Sequence, residues 1–229
     1  MSTGSSTKTR QGVGQYLWPR QHAGLIQQFA QREWQSRYRQ SFLGSFWALI
    51  TPLLMLGVYT WVFRGVFKLR WPDDLNDSHL GYALHIYAGL AVFNFFADCV
   101  NRAPRLVIDQ PHLVKKVIFP LEILPWVTAL TGLIHLGIAW GLMVMASAFE
   151  NGSVQLTVLL APLVWLPLLP LCLGLGWLLA GIGTFFRDIS QILALLLSLM
   201  MFLSPIFFPL SSLPQAVQVW AALNPLALP

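Results

Sequence analysis

Charged residues are spaced so unevenly along this chain that little except a membrane bundle can be built from it. Between Arg39 and Arg64 lie 24 uncharged positions, between Asp77 and Asp98 20, between Glu122 and Glu150 27, and between Glu150 and Arg187 36. After Asp188 the remaining 41 residues carry no formal charge. A helix rising 1.5 Å per residue crosses about 30 Å of hydrocarbon in about 20 apolar residues. The gaps therefore predict five spans, near 43–63, 82–100, 123–147, 157–183 and 189–208. Composition agrees, with 56% hydrophobic and only 10% charged residues, where soluble domains have about a quarter charged. A soluble fold would have to hide five such helices with almost no polar surface. Disordered chains, disulfide-rich secreted modules and most soluble enzymes are excluded on the same grounds. The expected fold class is all-α, a polytopic integral membrane helical bundle, with 1–21 a flexible tail and 22–229 one transmembrane domain.

Lys and Arg set the orientation. The N-terminal segment holds Lys8, Arg10, Arg20, Arg32, Arg37 and Arg39, and the loop between spans two and three holds Arg102, Arg105, Lys115 and Lys116. Arg187 follows span four, whereas Arg64, Lys68 and Arg70 share the first external loop with three aspartates. A cytoplasmic N-terminus puts eleven basic residues inside and three outside. The first apolar run begins after about forty mostly polar residues, so no cleavable signal peptide is expected. Cys99 and Cys172 propose neither disulfide nor metal site, and the five His residues lack metal-ligand spacing.

Within 22–44, Ile26, Ala30, Trp34 and Tyr38 recur at four-residue spacing, flanked by Leu25 and Phe29. Gln27, Gln28, Gln31, Arg32, Gln35 and Arg39 fill much of the remaining surface. This pattern predicts an amphipathic interfacial helix, with Trp34 and Tyr38 at headgroup depth and Arg toward phosphate. Anchoring to membrane lipids and docking of a cytoplasmic partner both remain open for it. Asp98 and Glu122 sit at expected span ends. Asp98 is placed to pair with Arg102 or Arg105, and Glu122 to favour the start of the next helix.

A resemblance rests on an ordered series of motifs. Arg32-Glu33, Arg37-Tyr38-Arg39, Ser41, Leu43-Gly44, Trp47 and Pro52-Leu53 come first. Tyr87-Ala88-Gly89-Leu90, Phe95-Phe96 and Lys116-Val117-Ile118-Phe119-Pro120-Leu121-Glu122 follow, the last closed by Pro125. Phe186-Arg187-Asp188-Ile189, Ser204-Pro205-Ile206-Phe207-Phe208-Pro209 and Asn224-Pro225-Leu226 complete the series. Together they resemble permeases of ABC type-2 exporters, most closely the group exporting O-antigen, capsule and teichoic acid polysaccharides. Such permeases have six spans. The chain stops at Pro229 after five, so the last span is expected to be absent and the domain C-terminally truncated.

The resemblance implies the permease subunit of an ATP-driven exporter of lipid-linked polysaccharide, working as a homodimer in the bacterial inner membrane. The alternatives are a type-2 exporter of drugs or other lipids, or a membrane glycosyl or acyl transferase. No Gly-x-x-x-x-Gly-Lys-Ser/Thr phosphate loop is present. ATP and Mg are therefore expected on a separate nucleotide-binding ATPase, with no cofactor on this chain and no nucleic-acid partner. Candidates for the ATPase interface are Arg32, Glu33, Arg37, Arg39, Arg102, Arg105, Asp109, Gln110, Arg187 and Asp188. Those in the 101–110 segment are expected to form a short coupling helix before Pro111. Candidate channel-lining residues are Phe46, Trp47, Tyr59, Phe63, Tyr87, Phe93, Phe95 and Phe96. Aromatic rings suit the C–H faces of sugars, although belt and packing roles are also open to them. Repeated prolines from Pro205 to Pro229 predict external re-entrant gate helices, with Pro205, Phe207, Phe208, Val217, Trp220 and Leu223 as gate residues.

Overall fold

The computed structural model describes residues 20–39, 41–62, 79–111, 119–151, 156–204 and 206. Within them lie six α-helices: α1 (Ala23–Tyr38), α2 (Trp47–Trp61), α3 (His79–Arg102), α4 (Leu124–Asn151), α5 (Leu156–Phe185) and α6 (Ile189–Leu203). Short 3-10 turns at Gly44–Phe46, Ala103–Arg105 and Leu121–Ile123 lead into or out of them. Phe63, Pro205, Phe207, Phe208, Val217, Trp220 and Leu223, and with them most of the expected tail and every residue assigned to the gate, lie outside the described residues.

Four segments are long and apolar enough to cross a membrane: Gly44–Trp61, Ala83–Arg105, Leu121–Phe149 and Leu159–Phe185. They match the first four expected spans. Of the fifth expected span, 189–208, the described residues form the 15-residue helix α6, about 22 Å long and by itself short of the hydrocarbon thickness. It ends where Ser204 takes an extended conformation (φ −78°, ψ 141°). Ser204 precedes Pro205, and a residue before proline is pushed out of the helical region. Pro162, Pro167 and Pro170 lie inside α5 without ending it.

The core lies where α3, α4 and α5 meet. Phe95, Phe96, Cys99 and Val100 of α3 pack with Ala129 and Leu136 of α4 and with Leu168, Cys172 and Leu173 of α5. A second cluster joins Ile86, Leu90 and Phe93 to Ile206 beyond α6. α2 stands apart, with 6% of the Gly44–Trp61 segment buried against 50% of Ala83–Arg105. α6 presents Ile192, Leu195, Leu199 and Phe202 outward.

α1 forms where the four-residue spacing placed it, but its apolar stripe packs on protein. Ile26 and Ala30 are buried against Ile123, in the turn before α4, and Val127, in its first turn. The Phe29 and Phe119 ring centroids are 5.3 Å apart. The polar positions Gln27, Gln28, Gln31, Arg32, Gln35 and Arg39 remain exposed. From α1 the chain turns into α2 through Gly44, whose φ of +51° lies in the left-handed region that favours glycine.

The segment expected to form a separate coupling helix is organised differently. α3 continues to Arg102, tightens into the 3-10 turn Ala103–Arg105, and passes into further turns. The Asp109 amide donates to the Arg105 carbonyl at 2.9 Å, and the Gln110 amide to Val107 at 3.3 Å. Pro104 has no amide to continue the α3 ladder, which explains why the helix tightens there.

Candidate functional site

Two adjacent stripes of α1 build the site. Residues 26, 30, 34 and 38 face α4, while Glu33 and Arg37, one turn apart, face α3. On α3 the facing residues are Asp98 and Arg102, also one turn apart. The helices thus meet as an antiparallel ladder of alternating charge. Arg37 Nη2 donates to both Asp98 oxygens, at 3.2 and 3.0 Å. Arg102 pairs with Glu33 and reaches Asp98 Oδ2 at 3.5 Å. The four formal charges cancel, which allows them to sit at a half-buried helix interface, with Glu33 the most enclosed of the four. Asp98 therefore keeps its expected Arg102 partner and gains Arg37, which the sequence does not place near it.

His135 of α4 completes the cluster. Its Nδ1 lies 2.9 Å from the Thr131 carbonyl, an oxygen that only accepts, so Nδ1 carries the proton. Nε2 is then an acceptor for the Tyr38 hydroxyl at 2.8 Å and for Arg37 Nη1 at 3.4 Å. The Trp34 ring lies 4.9 Å from the imidazole, centroid to centroid. Burial pushes the Tyr38 phenol above its ordinary range, with Arg37 opposing and Asp98 adding to the shift, so it stays a neutral donor. Neither His135 nor Tyr38 was singled out as a site residue from the sequence. The available signal was a histidine well inside an expected span, where an ionisable group is costly without a partner.

Two cavities flank the ladder. One, of about 630 Å³, runs between α2, α3 and α4. Its α1 end carries Arg37, Asp98, Asn101 and His135, with Trp47 at the start of α2; farther in, the wall is Met55, Tyr59, Tyr87, Leu90 and Phe95. Tyr87 is 4% exposed, and its hydroxyl has no hydrogen-bond partner among the described residues. Of the candidate channel aromatics, Trp47, Tyr59, Tyr87 and Phe95 line this cavity. Phe93 and Phe96 are packed in the apolar clusters, and Phe46 is exposed away from it.

The second cavity, of about 600 Å³, opens at the α1 end of the bundle. Arg32, Glu33 and Ser36 of α1 face Asn101, Arg102, Arg105, Asp109 and Gln110 across it, with Ser190 of α6 at the rim. Six of the ten candidate interface residues meet here. Arg37 faces the other cavity, and Arg39, Arg187 and Asp188 are exposed outside both. Asn101 lines both cavities, so the charged ladder forms the partition between an amphipathic space and a polar one. Among the described residues no group of His, Cys, Asp and Glu is arranged to hold a metal ion.

The chain matches the family described as ABC-2 type transporter over residues 24–229. It is 31% identical to the O-antigen export system permease protein RfbA of Myxococcus xanthus, over 90% of this chain and 77% of that protein. Identity to the protein of the same name from Klebsiella pneumoniae is 23%, over 83% of this chain and 71% of the relative. The polysialic acid transport protein KpsM of Escherichia coli is 26% identical, over 85% of this chain and 74% of its own length.

Proposed function

The chain belongs to the ABC-2 type transporter family, and from that premise we propose that it is the membrane-spanning permease subunit of an ATP-driven polysaccharide exporter. Its cargo is a lipid-linked, O-antigen-like glycan moved across the bacterial inner membrane. Relatives named for O-antigen export and for polysialic acid transport support that cargo class. It is a transporter subunit, not an enzyme, and the ATP and Mg of the cycle belong to a nucleotide-binding partner. A second copy completes the translocation path. The N-terminus and the α1 end face the cytoplasm, as the distribution of Lys and Arg favours.

The observation that carries this reading is the second cavity. Arg32 and Glu33 on one helix and Arg102, Arg105, Asp109 and Gln110 some seventy positions later converge on one polar recess at the basic end of the bundle. A recess of that kind gives an ATPase a foothold on α1 and α3 together. The amphipathic cavity beyond the ladder supports the cargo: Arg37 at its mouth suits an anionic group, and Tyr59, Tyr87 and Phe95 suit sugar faces.

Charge reversal at the rim tests the reading. In the permease assembled with its ATPase, Arg105→Glu or Asp109→Lys should leave ATP hydrolysis near wild type. Surface glycan should fall about tenfold, equivalent to about 1.4 kcal/mol on the coupled step. Unchanged export from both variants would remove the recess from the coupling path.

A further inference from the structure

The turn after α3 has two sides. One carries Arg105 and Asp109 into the polar recess. The other lies against α5 at Gly183. A Cβ placed on Gly183 would collide with the Pro104 carbonyl oxygen and stand 2.6 Å from the Pro104 Cα and 2.7 Å from its carbonyl carbon. These are backbone atoms, so no rotamer change relieves the contact, and only glycine fits. Ala103 and Pro104 are fully buried at this point. Arg105 follows Pro104 directly, and its carbonyl holds the Asp109 amide at 2.9 Å. The recess residues and the contact on α5 therefore belong to one short rigid unit. Behind it, Cys99 and Val100 of α3 share a packed core with Cys172, Leu173 and Leu179 of α5.

We propose that Gly183 and Pro104 form a joint that passes displacement of the Arg105–Asp109 turn into α5 as well as along α3. The two helices then move as one body, and the seam that opens is the amphipathic cavity, whose far wall is the sparsely packed α2. Gly183 is thus a positioning residue for transport. This inference rests on the reading that the recess receives the ATPase.

The test compares export with hydrolysis in the full complex. Gly183→Ala should lower glycan exported per ATP about tenfold, within the range of ordinary coupling between sites, while the permease still inserts and co-purifies with its ATPase. Gly176→Ala is the matched control on the same helix, because its Cβ would meet Pro125 Cβ at 2.9 Å, away from the turn. That variant should lower thermal stability and leave the export-to-hydrolysis ratio intact. Pro104→Gly loosens the turn without adding an atom to α5 and should reproduce the uncoupling, which settles the matter if Gly183→Ala fails to assemble. A wild-type ratio in Pro104→Gly, or an equal loss in Gly176→Ala, overturns the joint. If Arg105→Glu uncouples while Gly183→Ala and Pro104→Gly do not, the ATPase-facing recess stands and the joint falls. If Arg105→Glu leaves coupling intact, the recess reading itself falls.

Discussion

α3 meets its neighbours in two opposite ways. Toward α5 it offers Phe96, Cys99 and Val100, each 4–5% exposed, to an apolar core. Toward α1 it offers Asp98 and Arg102, each about one-third exposed, to a ladder of charge. The apolar contact resists change, because every atom removed leaves a void among close-packed neighbours. The ladder is wetter, so each pair contributes little by itself, and its partners are exchangeable. A transporter needs both kinds of contact, one to keep helices together through the cycle and one to be remade during it. On the joint proposed above, the core belongs to the moving body and the ladder lies beside the seam.

The largest expected effect strikes the first contact. Phe96→Ala should cost about 3–5 kcal/mol by opening a cavity in the α3–α5 core, read as a fall in the thermal unfolding midpoint in detergent. Leu195→Ala, at a position 65% exposed on α6, should change stability by less than about 0.5 kcal/mol. A Leu195→Ala loss as large as that of Phe96→Ala would mean that a second copy covers the outer face of α6.

The ladder should respond less and in a coupled way. Asp98→Ala leaves Arg37 and Arg102 facing each other without their shared acceptor, at a cost of about 2 kcal/mol. In a double-mutant cycle with Arg37→Ala the two losses should fall short of additivity by about 1 kcal/mol. Strict additivity would mean that the pair does not tie α1 to α3.

The smallest effect belongs to the histidine edge of the ladder. Tyr38→Phe removes the hydroxyl given to His135 Nε2 and should cost about 1 kcal/mol. The Tyr38 phenol is held above its ordinary range in the folded protein. Its contribution is therefore fully present below pH about 10 and declines as the pH rises further. Tyr38→Phe should lack that alkaline decline when unfolding midpoints are followed across the range. An identical pH profile for the two proteins would separate Tyr38 from the cluster.

Much of the fold was legible because a bilayer imposes one simple requirement. Twenty apolar residues without charge must be a helix that satisfies its own backbone, and four of the five uncharged gaps became such helices. The α1 stripe was legible for a similar reason, since a four-residue spacing leaves little choice of secondary structure. The extent of α6 was harder to read, because proline acts locally. Pro162, Pro167 and Pro170 sit within a continuous α5, while α6 stops at Ser204 ahead of Pro205. The short coupling helix expected near 101–110 proved to be the end of α3 and a set of turns, because Pro104 interrupts the amide ladder in the middle of that pattern.

The sequence by itself determined the class of solvent, the places of four long apolar helices, the family motifs and the charge types available at each helix end. Tertiary structure alone decided which surface the α1 stripe covers, and that Glu33 and Arg37 face Arg102 and Asp98. It also decided that His135 accepts from Tyr38, and that Gly183 lies against the Pro104 backbone. The physical reason is one of range. Hydropathy and helical periodicity are summed over neighbours in the chain. Ion pairing and backbone contact depend on separations of a few ångströms between residues that the chain places tens of positions apart.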